Sequence, residues 1–276
     1  MRLSISNIAW DVEEDSAVAQ LLKKLHIDAI DIAPGKYFPD PLNANKEDIT
    51  EVRNWRSDHD IEIIGMQALL FGAPDLNIFG DKENQVALLK RLDAVCRIGK
   101  ELGATRLVFG SPKNRDRSTL GNEQALDRAV SFFRRLGGIA QSHGVIICLE
   151  PNPPRYGSNF MMSSLETALV VNSVEHSSIQ MQFDTGALEI NQEDPYVILS
   201  NSAHLIGHIH ASEPDLAPLT SNRTNHTLMY KAFLKYLPHH LVTIEMLATK
   251  NDRHLASIKG TLMRAIECYR PEKGVM

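Results

Sequence analysis

The sequence predicts an α/β fold in which residues 1–276 form a single (β/α)8 barrel of parallel strands. Three observations predict it. Short aliphatic or β-branched runs alternate eight times with longer segments whose apolar residues return at helical spacing. The chain of 276 residues divides into eight units of about 34 residues, the size of one strand–helix repeat. No Gly/Ser-rich or Pro-rich linker and no low-complexity run interrupts it, so one domain fits better than two. A doubly wound open sheet shares this rhythm, but eight such units most simply close on themselves as a TIM barrel.

The elements follow in order. Leu3 to Ala9 reads as the first strand, and Ala17, Val18, Leu21, Leu22 and Leu25 as the apolar stripe of the helix after it. Ala29 to Ala33 and Ile61 to Gln67 give strands two and three. Asp81 then stands at an N-cap position, Val86, Leu89, Leu92 and Cys96 form a second stripe, and Gly103 follows as a C-terminal stop. The fourth strand spans Arg106 to Gly110, and its helix carries Ala129, Phe133, Leu136 and Ala140 before Gly144. The last four strands are Val145 to Glu150, Ile179 to Asp184, Ile206 to His210 and Leu241 to Glu245, with Asn251 placed to cap the final helix.

Composition narrows the function. With 29 Lys+Arg against 34 Asp+Glu, a net charge of −5 and a pI near 6.1, the chain lacks the basic surface that neutralises phosphates, so no nucleic-acid partner is expected. Cys96, Cys148 and Cys268 are too few and too scattered for a disulfide framework or a thiolate zinc site. The opening MRLSISNIAW lacks the charged n-region and apolar h-region expected of a secretory leader, and no run approaches the roughly 20 apolar residues that span a bilayer. The expectation is a cytoplasmic protein without a membrane partner.

The chemistry concentrates in the last four strands, which end in Glu150, Asp184, His210 and Glu245. Active sites of such barrels lie at the C-terminal ends of the strands, so these four side chains are expected in one mouth. Two positions earlier, on the same face, stand Cys148, Gln182, His208 and Thr243. Ile147, Leu149, Met181, Phe183, Ile209, Val242 and Ile244 have the opposite parity and are expected to face the helices. A polar barrel interior is costly unless its groups are paired or hold a metal. Three crowded carboxylates repel one another, and a divalent cation between them reverses the effect. Oxygen donors with one imidazole suit Mn²⁺ first, then Mg²⁺, Co²⁺, Fe²⁺ or Zn²⁺.

At these residues, and in the segments IDIAPGKYF, GMQALLFG and LEPNP, the sequence resembles the xylose-isomerase-like TIM barrel superfamily, in particular its sugar phosphate isomerase/epimerase members. The resemblance implies that Glu150, Asp184, His210 and Glu245 bind one divalent metal ion and that Glu150 and Glu245 are the catalytic acid/base pair. Ketose 3-epimerases resemble one another in an acidic residue shortly after the first catalytic Glu, where this chain reads Pro-Asn-Pro-Pro-Arg-Tyr, and two further positions depart from the pattern. Many epimerases and dehydratases of the superfamily carry a His three residues after the metal-binding Asp and an Arg six residues after the metal-binding His, where this chain has Ala187 and Leu216.

The expected activity is proton transfer next to a carbonyl of a small carbohydrate, between two Glu and through an enediolate, giving a sugar or sugar phosphate isomerase or epimerase. The same site would support dehydration of a cyclic polyol or keto acid, and a non-catalytic sugar-binding barrel is a third reading. Gln67, Lys113, Arg115, Asn152, Arg155 and His208 are the candidate substrate-binding residues, Lys113 and Arg115 for a phosphate or carboxylate. Arg117 reads rather as part of a solvated basic loop. His208 is also read as a hydrogen-bonded support one layer below His210. Glu213 reaches either the site or solvent, Trp10 either a sugar face or the rim, and Phe71 to Gly80 is long enough for a lid. A homodimer is the common oligomer for such an enzyme.

Overall fold

The structure is a computed structural model and describes residues 1–249 and 254–271. Eight parallel strands, β1 (Leu3–Ser6), β2 (Ala29–Ile32), β3 (Glu62–Met66), β4 (Arg106–Phe109), β5 (Ile146–Leu149), β6 (Ile179–Asp184), β7 (Ile206–Ser212) and β8 (Val242–Glu245), pair in sequence order. The pairing of Leu3 with Val242 and of Ile5 with Ile244 closes the barrel. The open-sheet alternative is thereby excluded.

An outer shell is formed by α1 (Asp15–Lys24), α2 (Lys46–Asp58), α3 (Lys82–Leu102), α4 (Asn122–His143), α5 (Ser164–Val174), α6 (Thr185–Asn191), α7 (Pro195–Ser202), α8 (His226–Tyr236) and α9 (His254–Tyr269). The apolar core lies between strands and helices. There Phe109 meets Phe133 edge-on at 5.5 Å and Phe183 meets Phe233 at 5.3 Å, the geometry that brings a ring's positive edge to its neighbour's negative face.

The helix punctuation follows the sequence. The Asp81 carboxylate accepts a hydrogen bond from the Asn84 amide at 2.9 Å and so satisfies an N-terminal donor of α3. Gly103 and Gly144 end α3 and α4 with φ of +86° and +72°, a backbone conformation that a side chain disfavours. The expected cap Asn251 lies outside the described residues.

Differences collect at strand ends and stripe edges. The first strand stops at Ser6 rather than Ala9, because the Ser6 hydroxyl accepts from the Ile8 amide and starts a 3-10 turn over Asn7–Ala9. Trp10 closes that turn, is buried, and donates its Nε1–H to Asp15 at 2.8 Å, which is rim packing. The seventh strand runs on to Ser212, held by pairing of Ser212 with Glu245. Ala17 and Val86 fall on exposed edges of α1 and α3, which bury Val18, Leu21 and Leu22, and Leu88, Leu89, Leu92 and Cys96.

Candidate metal centre and active site

The four strand-end residues converge. One ligand atom from each of Glu150, Asp184, His210 and Glu245 falls in a set whose members all lie within 4.8 Å of one another. His210 Nδ1 is 3.3 Å from Glu245 Oε2 and 3.6 Å from Glu150 Oε1. Its other nitrogen, Nε2, points down the barrel to Asp31 Oδ2 at 3.4 Å. Asp184 ends β6 and caps α6, accepting from the Ala187 amide at 2.6 Å.

Each carboxylate has a neighbour that fixes its direction. The Ser212 hydroxyl donates to Asp184 at 2.8 Å and accepts from the Gly186 amide at 2.9 Å. Gln67 donates its Nε2–H to Glu245 Oε1 at 2.6 Å, and Asn152 donates to Glu150 Oε2 at 2.9 Å. Glu150 also depends on Gly110, because a Cβ there would sit 2.0 Å from Glu150 Oε2.

Burial and crowding set the electrostatics. Burial first, and then the charges of Glu245 and Glu150, push Asp184 up to about 7. His210 stands well above the ordinary imidazole value, since the Glu245 charge and the bonds to Asp31, Glu150 and Glu245 outweigh desolvation. Burial raises Glu150, but the hydrogen bond and charge of His210 overcome it and hold that carboxyl below its usual range. Three carboxylates around one imidazole, without a thiolate, are a donor set that fits a divalent cation of oxygen and nitrogen preference. The geometry would present His210 Nδ1 to it.

Glu150, Asp184 and Glu245 open into a cavity of about 790 Å³, whose wall also includes Gln67 and Asn152. The other expected substrate contacts stand outside that wall. Lys113 is exposed on the turn Lys113–Arg115. Arg115 is completely buried and donates to the Glu150 carbonyl oxygen at 2.6 Å, and desolvation brings its guanidinium down to about 10. Arg155 is exposed and paired with Asp215 at 2.7 Å. His208 lies below His210, with Nε2 at 2.7 Å from Asp31 Oδ2 and 3.3 Å from Thr243 Oγ1.

Glu213 faces the cavity but is fully buried. Its carboxylate accepts from the Arg223 and Thr224 amides and lies 3.3 Å from His226, which pins the loop after β7. Sequence reasoning passed over Asp31 and Ser212. The signal for Asp31 was its parity with Ala29 and Ala33, the inward face of β2. Ser212 lay two residues past the assumed end of β7, on the His210 face.

A closed parallel barrel with a carboxylate–imidazole set at its C-terminal rim defines a barrel with a candidate divalent-metal centre. The chain belongs to the xylose isomerase-like TIM barrel family, whose profile matches residues 19–260. No curated protein is a significant sequence match. Among solved structures, D-psicose 3-epimerase from Clostridium cellulolyticum H10 with D-tagatose superposes with a TM-score of 0.81 at 16% identity, covering 98% of this chain and 99% of that one. A 3-keto-D-glucoside 4-epimerase from E. coli also gives 0.81 at 16%, covering 97% and 100%. The IolI protein with a bound zinc atom gives 0.76 at 15%, covering 98% of each chain. At these identities the likeness shows the fold. Among the described residues no helix is long and apolar enough to cross a membrane.

Proposed function

We propose that this protein is a divalent-metal-dependent isomerase or epimerase of a sugar or sugar phosphate, with Mn²⁺ as the preferred cation. The observation that carries the reading is the approach of Glu150 and Glu245, from strands separated by β6 and β7, to the same imidazole nitrogen at 3.6 and 3.3 Å. Glu150, Asp184, His210 and Glu245 would hold the cation, which supplies an electrophile for the carbonyl and adjacent hydroxyl oxygens of the substrate.

The two Glu then divide the proton work. One takes the proton from the carbon next to the carbonyl, leaving an enediolate. The other returns a proton to the opposite face of that carbon, which inverts it, or the proton goes to the neighbouring carbon, which isomerises the sugar. Asn152 and Gln67, bonded to the two carboxylates, set their orientation, and the Asn152 amide oxygen is left for a sugar hydroxyl. The buried Arg115 holds the Glu150 backbone from beneath rather than gripping an anion.

The similar epimerase structures support a carbohydrate substrate. The test is incubation of Mn²⁺-loaded protein with free and phosphorylated ketoses in D₂O. The reading expects deuterium at a carbon-bound position, with exchange falling at least about 100-fold in Glu150→Gln and Glu245→Gln. A product lighter by one water would assign the site to dehydration instead. Exchange that persists in both variants would remove the acid/base roles.

A further inference from the structure

Beyond the ligand set, Gln67, Asn152 and Ser212, much of the cavity wall is hydrocarbon. Ile8, Leu69, Phe71, Leu216 and Leu247 line it from the loops after β1, β3, β7 and β8, and Val108 from β4 itself. Phe71 and Leu247 leave 75% and 51% of their surface to solvent, and both belong to this one cavity. The charged groups of the wall outside the ligand set, Lys36, Asp215 and Glu213, are already engaged, while Ser111 and Tyr156 add two hydroxyls to it. Lys36 donates to the carbonyls of Asn7 and Trp10, Asp215 pairs with Arg155 and Arg223, and the Glu213 carboxylate holds two backbone amides.

We infer that the substrate is a keto-sugar carrying an apolar substituent, an aryl or long alkyl group, which lies against Phe71, Leu216 and Leu247 while the sugar occupies the carboxylate end. This rests on the function proposed above and narrows its substrate class. A free ketose has a hydroxyl on nearly every carbon, and those turned to this wall would lose water without gaining a partner. An apolar substituent would instead cover side chains that now face solvent. Size agrees, because a cavity of about 790 Å³ is on the scale of sites that enclose drug-sized ligands. The wall is also well placed for selection. Leu216 has a left-handed backbone with φ of +51°, and its carbonyl oxygen accepts from the Leu247 amide at 3.0 Å, so the two side chains are presented from one tied pair of loops.

The test compares calorimetric binding of methyl and phenyl 3-keto-β-D-glucopyranoside, and of D-fructose, to the Mn²⁺-loaded full-length protein. The phenyl glycoside is expected to bind about 10-fold or more tightly than the methyl glycoside and more tightly than fructose. The variant Phe71→Ala/Leu247→Ala, altered only at exposed side chains, is expected to bring the phenyl-to-methyl ratio below about 3-fold. Equal affinities, tighter binding of fructose, no binding of either glycoside, or a ratio unchanged in the double variant would each overturn the inference. Turnover is read separately, as deuterium exchange. Phenyl preference without exchange in any ligand would leave the apolar subsite standing and defeat the isomerase reading. Exchange with fructose but equal glycoside affinities would do the reverse.

Discussion

Asp31 on β2 and His210 on β7 meet across the barrel interior, with Asp31 Oδ2 3.4 Å from His210 Nε2 and 2.7 Å from His208 Nε2. The carboxylate is fully buried, and His208 holds it far below its ordinary range despite the desolvation that opposes ionisation. Its space comes from Gly65, its partner on β3, where a Cβ would lie 2.5 Å from Asp31 Oδ1. With Nε2 engaged below, the His210 ring is fixed with Nδ1 toward Glu150 and Glu245. Carboxylates that hold a ligating imidazole in this way typically contribute 10–100-fold to metal affinity. Asp31→Asn is therefore expected to weaken Mn²⁺ binding by about that factor in a calorimetric titration. An unchanged affinity would show that the ring is held by its packing alone.

The ligand set also predicts how pH acts on the metal-free protein. Asp184 has a folded pKa of about 7, against roughly 3.9 for an unperturbed Asp, so its ionised form is disfavoured in the fold and subtracts stability as pH rises between those values. His210 is shifted upward, so its contribution is complete below about 6.5 and is lost as pH rises through its folded pKa. Glu150 is shifted downward, and its favourable contribution is already complete above about 4.3. Between about pH 5.5 and 8 the moving contributions share one sign, and the metal-free protein loses stability. A cation that binds the deprotonated set reverses this, so the Tm gained on adding Mn²⁺ is expected to widen with pH. Calorimetric scans across that range check it, and a gap that narrows would contradict the assignment.

What the chain disclosed by itself was governed by range along the sequence. Glu150, Asp184, His210 and Glu245 were legible because each ends a short apolar run and shares parity with a polar residue two positions earlier, both local patterns. Asp31 shares parity only with Ala29 and Ala33, and its purpose depends on His208 and His210 more than 170 residues away, as the separations of 177 and 179 show. Arg115 illustrates the opposite difficulty. A basic residue in a loop after a strand suggests an exposed anion contact, and only the tight turn at Lys113–Arg115 tucks its guanidinium under Glu150. The first strand ends at Ser6, short of the expected Ala9, for a related reason. Ser6 and Trp10 bond to neighbours, Ile8 and Asp15, that redirect the backbone, and hydrophobicity carries no trace of that.

Gly110 sets a steric condition on the site. It follows β4 directly beside Glu150, and the 2.0 Å separation between a Cβ there and Glu150 Oε2 is far inside van der Waals contact. Gly110→Ala must displace the Glu150 carboxylate away from His210 and from the Asn152 amide that orients it. A Mn²⁺ affinity reduced by about 10-fold or more is the expected result, in line with the loss of a ligand-orienting contact. The thermal transition of the metal-free protein should change little, since the displaced group is not part of the apolar core. A variant that binds Mn²⁺ normally would show that the carboxylate reaches the ion from another rotamer.

Arg56 of α2 reaches Asp15 of α1 at 2.6 Å, with side chains only 2% and 13% exposed, and its guanidinium stacks over Trp55 at 4.6 Å. Tyr37 joins the pair, accepting from Arg56 at 2.5 Å and donating to Asp15 at 2.8 Å, while burial pushes its hydroxyl up to about 12 and keeps it a donor. Removing one charge of such a pair leaves the other without compensation, which costs about 3–5 kcal/mol. For a chain of this length that corresponds to roughly 5–9 °C in Tm. Arg56→Met is expected to show that loss. Asp15→Asn together with Arg56→Met removes both charges while the amide oxygen so introduced still accepts from the Trp10 Nε1–H, and should recover most of it. If the double variant melts as low as the single one, the contribution comes from packing of the guanidinium on Trp55 and not from the ion pair.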